Sequence, residues 1–306
     1  MSIRALVIGY GSIGSRHARL LNDLGCDTAV HSARSMDFPL VYPNLQEAIH
    51  RHDPDYVVIA NATEKHRASL VELAEYGYTG RVLVEKPLLQ TGQKMPANRF
   101  SEIWVGYNLR FHPVLGKVRE LLADEKLISV QAYAGQYLPH WRPGTDYRQS
   151  YSARRAEGGG VLRDLSHELD YLGALFGGWQ RVTALGGHFS SLDIDSDDVF
   201  SLLWETTECP IVSLQMNYLD RPGQRYFVVQ TTAHTIVADF RDGTVRLGGE
   251  LVGQYEVARD QTYTDMHRLI MSGQPHGACT LAAGLETMGL IEAAENAAQQ
   301  GVWIRK

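Results

Sequence analysis

The first residues constrain this chain more than any other stretch. Ile3 to Ile8 carries the apolar run Ala5-Leu6-Val7-Ile8, which suits a strand buried on both faces. Gly9-Tyr10-Gly11-Ser12-Ile13-Gly14 follows without a gap. A helical pattern then begins, with Ile13, Ala18, Leu20, Leu21 and Leu24 apolar and Gly25 placed to end it. Strand, glycine turn and helix in this order are the context in which G-x-G-x-x-G binds a dinucleotide. Gly9 permits the tight turn, Gly11 lets the backbone approach a pyrophosphate, and Gly14 lets the helix pack on the strand. The helix N-terminus, entered through Ser12 and Ile13, offers N–H donors and a positive dipole end to the phosphates.

The following elements extend a nucleotide-binding half. Thr28 to His31 reads as a second strand. An NAD-selective site usually ends this strand in Asp or Glu, which binds the ribose hydroxyls. Here the stretch is His31-Ser32-Ala33-Arg34-Ser35, with no carboxylate before Asp37. Ser32 and Arg34 suit a 2′-phosphate and favour NADP; Asp37 folding back to the ribose would favour NAD instead. Leu45 to Ile49 fits a short helix, and Asp55 to Ala60 a third strand that Asn61-Ala62-Thr63 closes against the cofactor. Thr63 is placed to cap the next helix. His66 lies in its first turn, either touching the nicotinamide ribose or packed. A fourth strand, Arg81 to Val84, delivers Glu85-Lys86-Pro87. A charged pair and a rigid residue at the carboxyl end of a parallel strand lie where open α/β sheets bind ligands; a plain solvated strand end is the alternative. Residues 88–101 are polar and irregular, and Ile103 to Gly106 is one more strand. Alternating strands and helices imply right-handed parallel crossovers and a doubly wound sheet.

From Gly106-Tyr107-Asn108-Leu109-Arg110-Phe111-His112-Pro113 onward the alternation stops. A helix with Val114, Val118, Leu121 and Leu122 on one face comes first. β-patterned runs then fall at Ile128 to Gln136, Val182 to His188, Val199 to Glu205, Pro210 to Tyr218, Arg225 to Thr231, Thr235 to Phe240 and Thr244 to Leu247. Close spacing and short turns predict a mainly antiparallel sheet in an α+β domain. The expected division is a Rossmann domain over 1–107 and an α+β domain over 108–306. Helices are expected at Tyr263 to Ser272 and Leu281 to Gln300 and a strand at Gly301 to Ile304, leaving open a return of the last few residues to the first domain.

Two stretches of the second half carry chemistry. Tyr137 to Arg148 is a loop dense in aromatic and hydrogen-bonding groups. Gly158-Gly159-Gly160 then leads into an expected helix, Val161 to Leu172, with Leu162, Leu165, Leu169 and Leu172 facing the core. Asp164, His167 and Tyr171 recur at i, i+3 and i+7 on another face. An Asp and a His one turn apart suit a general base for alcohol oxidation, although polar residues on an outer helix face are common. Arg155, Glu157 and Glu168 are expected in solvent.

Composition narrows the setting. The chain has 306 residues, enough for two domains with real cores. Net charge is −6 with Lys and Arg scattered, which argues against a nucleic-acid surface. No apolar run approaches the ~20 residues of a membrane span. A strand pattern that begins at once leaves no room for a signal peptide. Three cysteines, far apart and without metal spacing, suit a reduced cytoplasm and no metal.

Taken together, the glycine motif at Gly9 to Gly14, Glu85-Lys86-Pro87, the stretch Gly106 to Pro113 and the stretch Gly158 to Asp170 resemble the Gfo/Idh/MocA oxidoreductase family over essentially the whole chain. The resemblance implies that Lys86 sits between nicotinamide ribose and substrate hydroxyl and that His167 is the catalytic histidine, with Asp170 three residues on. The family's catalytic Asp usually precedes that histidine by four residues, and Asp164 precedes it by three. Reversible hydride transfer between a nicotinamide and a secondary alcohol of a sugar follows. His167 takes the hydroxyl proton, Asp164 orients it, and Lys86 stabilises the alkoxide. Glu85 and Lys86 join Gly9, Gly11, Ser12, Ile13, Gly14, Ser32, Arg34, Asn61, Ala62, Thr63 and His66 as cofactor-side residues. Tyr107, Asn108, Arg110, Trp141, Arg142, Asp146, Tyr147 and Arg148 are the substrate-side candidates, the arginines pointing to an anionic group such as a sugar acid or nucleotide sugar. A homodimer or homotetramer joined through the open sheet is also implied. Two rival readings remain: glycoside cleavage through transient oxidation by retained NAD, and a cofactor-sensing binding protein.

Overall fold

In the computed structural model of the chain, residues 2–33, 36–90, 92–274 and 276–306 are described. They form two compact units. The first runs to Phe111 and includes Arg259–Gly284; the second comprises His112–Ala258 and Leu285–Lys306.

The first unit opens with β1 (Arg4–Ile8), α1 (Ser12–Asp23), β2 (Asp27–His31), β3 (Val41–Tyr42), α2 (Leu45–His52), β4 (Tyr56–Ile59), α3 (Thr63–Glu75), β5 (Arg81–Val84) and β6 (Glu102–Val105). β1 to β6 are parallel in the order β6-β5-β4-β1-β2-β3. The order reverses between β1 and β4, the switch point at which doubly wound sheets bind nucleotides. The described residues among 88–101 hold no helix, as their polar sequence predicts.

The second unit begins with α4 (Pro113–Leu121) and β7 (Leu127–Gly135). After the loop come α5 (Val161–Asp164), α6 (His167–Phe176), β8 (Trp179–Gly187), β9 (Val199–Thr206), β10 (Val212–Asn217), β11 (Gln224–Thr231), β12 (Thr235–Asp239), β13 (Thr244–Leu247) and β14 (Glu250–Gln254). The seven expected strands are all present. β14 was not legible, because the short exposed run after Gly248-Gly249 has no buried alternation.

The chain then re-enters the first unit as α7 (Gln261–Ser272) and β15 (Cys279–Thr280), which pairs antiparallel with β6. α7 has a physical reason to be there. One face of the first sheet presents Ala5, Val7, Val30, Tyr56, Val58, Leu83 and Trp104, and this face is covered by Ala18 and Leu21 of α1 together with Met266 and Ile270 of α7. With no helix among the described residues between β5 and β6, a helix from far along the sequence supplies the missing apolar cover. α8 (Leu281–Gln300) follows, and β16 (Ile304–Arg305) closes the second unit's sheet, in the order β14-β13-β12-β11-β7-β10-β9-β8-β16. All neighbours are antiparallel except β7 and β10. The terminal residues thus stay in the second unit, with Ile304 opposite Val182.

The expected helix over 161–172 is two helices. At Leu165-Ser166 the bonds tighten to three-residue spacing, Ser166 N–H to Arg163 and Glu168 N–H to Leu165. Past this break Tyr171 does not share a face with Asp164. It is buried against Phe227 and Phe240 in the core. Glu168, expected in solvent, is fully buried and ion-paired with Arg225 at 2.7 Å.

Candidate functional site

The glycine turn has the geometry its spacing requires. Gly9 adopts φ +95°, and a Cβ there would sit 2.7 Å from the Asn61 backbone. A Cβ on Gly14 would sit 2.1 Å from the Gly9 carbonyl oxygen, so the helix can approach only as glycine. Gly11 differs: its Cβ would meet nothing within 4 Å. The backbone at Gly11, the N-cap of α1, therefore fronts open space. No side chain caps this helix and its first turn has no acidic residue, so its N–H groups and dipole remain available to an anion. Nearby, the Asn61 amide donates to the Ser69 hydroxyl at 2.8 Å, while its carbonyl oxygen is buried with no partner among the described residues. An open glycine cap, a bare helix N-terminus and an orphaned amide oxygen fit a dinucleotide held by Gly9, Gly11, Ser12, Ile13 and Gly14 with Asn61 alongside.

Other cofactor-side expectations are placed differently. Ser32 follows β2, half-buried, and Asp37 is exposed; Arg34 lies outside the described residues. Ala62, not Thr63, is the N-cap of α3, and Thr63 is its first residue. Both are where the strand hands over to the helix. His66 is buried, with Nδ1 3.1 Å and 3.2 Å from the carbonyls of Pro87 and Leu88 and Nε2 3.2 Å from that of Asn61. Burial pushes its pKa down against these carbonyls. His66 pins the chain leaving β5 and does not reach outward, which corrects its expected contact with the cofactor.

Lys86 ends the buried run Val82-Leu83-Val84 and is half-buried; the Lys86–Pro87 bond is cis. Its backbone N–H donates to Glu85 Oε2 at 3.0 Å. Glu85 is itself buried, and its Oε1 lies 2.8 Å from His17 Nε2. Burial works to raise the Glu85 carboxyl, but the His17 hydrogen bond and the charge of Lys86 outweigh it and hold it below its ordinary value. Glu85 is thus an internal anchor. Gly106 explains the close fit, since a Cβ there would lie 2.8 Å from Glu85 Oε1.

Of the substrate-side candidates in the first unit, Tyr107 and Asn108 are buried. Asn108 donates to Thr262 of α7 at 2.6 Å, and Arg110 donates to the Ala278 carbonyl at 3.4 Å. These contacts tie the returning segment to the strand exit, so Asn108 serves the fold. In the second unit, Asp164 is buried and accepts from the Tyr218 hydroxyl at 2.6 Å. Desolvation of its hydroxyl, then the charge of the same carboxyl and a hydrogen bond to it, push Tyr151 well above its ordinary value although the residue as a whole is partly exposed. His167, half-buried, is the first residue of α6.

Trp141 donates to the Gln136 carbonyl at 3.2 Å and meets Tyr218 edge-on at 5.2 Å, while the Arg142 guanidinium lies 5.7 Å from the centroid of the Tyr151 ring. Trp141, Arg142 and Tyr147 line a shallow cavity with Thr145, Ser150 and Ser152. Asp146 and Arg148 are spent on each other: the carboxylate accepts from Arg148 Nε at 2.8 Å and Nη2 at 2.8 Å, and caps the turn through the Arg148 N–H. Sequence reading missed His17, Tyr218, Tyr151 and Ser152. Only His17 had a signal, a histidine within the otherwise apolar stripe Gly14, Ala18, Leu21 of α1.

Residues 3–98 match the family described as "Oxidoreductase family, NAD-binding Rossmann fold", and residues 115–237 match the GFO/IDH/MocA C-terminal domain. The chain belongs to the Gfo/Idh/MocA oxidoreductase family. The first unit of this Gfo/Idh/MocA protein therefore carries an NAD-binding Rossmann fold, in agreement with the glycine turn. Levoglucosan dehydrogenase of Pseudarthrobacter phenanthrenivorans is 24% identical over 141 residues, which is 44% of this chain and 36% of that protein, so the matched stretch spans little more than a third of the relative's length. Among solved structures, levoglucosan dehydrogenase in complex with NADH has a TM-score of 0.84 at 17% identity, covering 100% of this chain and 99% of the other. A protein of gentamicin A biosynthesis in complex with NAD has a TM-score of 0.80 at 21% identity, covering 100% and 96%. An oxidoreductase of Thermotoga maritima has 0.80 at 18%, covering 100% and 98%. At these identities the structural likeness speaks for the fold.

Proposed function

We propose that this protein transfers hydride between a nicotinamide cofactor and a secondary alcohol or ketone of a sugar-type substrate. The observation that carries the reading is Lys86: a lysine at the carboxyl end of β5, in the sheet that holds the glycine turn, with its backbone N–H tied to a buried carboxylate. When bound, the cofactor supplies the hydride chemistry. The Lys86 ammonium stabilises the negative charge that grows on the substrate oxygen, by a charge-assisted hydrogen bond. His167 holds the hydroxyl proton, and Asp164, itself steadied by Tyr218, is its orienting partner.

The cavity formed by Trp141, Arg142, Thr145, Tyr147, Ser150 and Ser152 offers an aromatic face and several hydroxyls, the mixture a polyol needs. The similar levoglucosan dehydrogenase has been solved with levoglucosan and with L-sorbose, which also favours a sugar. Arg142 leaves room for an anionic group on it. β2 runs into His31 and Ser32 without a carboxylate, which favours NADP over NAD. Leu185, Leu203 and Ile211 on the second sheet are exposed, which suits association of copies through that sheet. The three cysteines form no disulfide, which suits the cytoplasm; no described helix is long and apolar enough to cross a membrane.

The test is a screen of sugars, sugar acids and nucleotide sugars against NAD and NADP, following reduced-cofactor absorbance. It is repeated with Lys86→Ala, which is expected to lose about 100- to 1,000-fold in turnover while still binding cofactor. Undiminished turnover in Lys86→Ala would sink the assignment.

A further inference from the structure

Beneath Lys86 runs a buried chain of side chains that the proposed chemistry does not use. Glu85 Oε1 lies 2.8 Å from His17 Nε2 on α1, His17 Nδ1 lies 2.8 Å from His267 Nε2 on α7, and His267 Nδ1 lies 3.1 Å from the Tyr56 hydroxyl on β4. His17 and His267 are fully buried and Tyr56 nearly so. Two imidazoles in contact, both out of water, are costly unless every nitrogen is satisfied.

Hydrogen-bond chemistry allows one order with a single charge. Tyr56 O–H donates to His267 Nδ1, His267 Nε2–H donates to His17 Nδ1, and His17 Nε2–H donates to the Glu85 carboxylate. Each ring then carries one proton, on Nε2, and the carboxylate still has Oε2 for the Lys86 N–H. Reversing the order requires an additional proton, borne by His17 or Glu85, with His267 switched to its other tautomer. Burial opposes a charge on His267 and pushes its pKa well down. The surroundings leave Glu85 as the charged member. Tyr263 meets His17 edge-on at 5.5 Å, and the Arg16 guanidinium lies 5.2 Å from the Tyr263 ring centroid while pairing with Asp260.

We propose that His17 and His267 are positioning residues for Lys86: the ordered chain from Tyr56 through both imidazoles sets the orientation of Glu85, whose other oxygen holds the Lys86 backbone. This rests on the reading of Lys86 as a catalytic residue. It gives the returning helix a role besides covering the sheet, because α7 delivers His267 to a turn that lies nearly two hundred residues earlier in the sequence.

The experiment pairs His267→Phe, which fills the space but cannot donate to His17, with His267→Gln, whose amide can. His267→Phe is expected to lose about 10- to 100-fold in kcat with cofactor Kd little changed, the size of effect a small misplacement of a reacting group brings. His267→Gln is expected to recover most of that loss. Equal losses in the two variants, a parallel collapse of kcat and cofactor affinity, or an unchanged kcat in His267→Phe each overturn the proposal. If His267→Phe does not fold, 15N imidazole spectra of the wild-type protein decide: both buried rings are expected as Nε2–H tautomers, and an imidazolium at either overturns the order. Lys86→Ala measured alongside separates the two claims. An active Lys86→Ala removes the catalytic reading, whereas an inactive one beside an unaffected His267→Phe removes the positioning proposal alone.

Discussion

Gly11 and Gly14 belong to one motif, yet the structure assigns them different costs, and alanine at each separates ligand binding from folding. At Gly14 the new Cβ would lie 2.1 Å from the Gly9 carbonyl oxygen, a backbone atom held by the Gly9 N–H bond to the His31 carbonyl at 3.0 Å. Nothing flexible can yield, so α1 must move off β1, an overpacking cost of about 1–3 kcal/mol. At Gly11 the Cβ meets nothing within 4 Å and φ is −82°, which alanine adopts freely. Alanine is a poorer N-cap than glycine but shrinks the unfolded ensemble, so the net change in stability stays within about 1 kcal/mol. The open space over Gly11 is where a pyrophosphate would rest. A methyl group there displaces it from the helix N–H groups, at about 1.5–3 kcal/mol for each charge-assisted bond lost. Loss of one such bond weakens cofactor binding by roughly tenfold to a hundredfold. The assay is cofactor Kd by calorimetry beside thermal denaturation of the cofactor-free protein. Gly11→Ala should melt like wild type and bind weakly, and Gly14→Ala should melt early. A Gly11→Ala variant that binds with wild-type Kd would refute the placement of the phosphates.

Other outcomes follow from buried polar groups. Arg225→Met leaves the fully buried Glu168 carboxylate without its cation and should cost about 3–5 kcal/mol; Glu168→Leu in the same chain should restore much of it, and urea titration that finds the single and double variants equal refutes the coupling. Tyr218→Phe removes the 2.6 Å donor to buried Asp164 and should lower stability by about 1.5–3 kcal/mol; a melt indistinguishable from wild type counts against that bond. His112 is pushed down to about 4 by burial, with help from Arg225, and its Nδ1 accepts from the Val114 N–H at the start of α4. It stays neutral in the folded chain while an unfolded histidine titrates near its ordinary 6.5, so the unfolded state binds more protons between those values. Its contribution is complete above pH 6.5 and is lost as pH falls through the folded value, by about 3 kcal/mol at most. His112→Asn, which can still cap α4, should flatten stability in that window; an unaltered pH dependence rejects His112 as the source.

Local sequence was enough for the elements whose reasons are local. A two-sided apolar strand, glycines at fixed spacing and a helical stripe all act within a dozen residues, so most of the nucleotide-binding half and the longer strands of the second sheet were legible. Where a residue's partner comes from elsewhere, the reading faltered. His66 faces three carbonyls instead of a ligand because the chain beyond Pro87 folds over it. Glu168 looked solvated until Arg225 from β11 reached it. Asp146 and Arg148 looked like substrate groups and proved to be a pair.

The sequence by itself determined a dinucleotide-binding sheet with Lys86 at a strand end, because periodicity and turn chemistry are properties of neighbours along the chain. Only the tertiary structure decided what lies beneath Lys86. His267 reaches His17, and through it Glu85, because the sheet face left bare between β5 and β6 draws α7 back onto it. That choice is set by burial of apolar area across long separations, which no local pattern encodes.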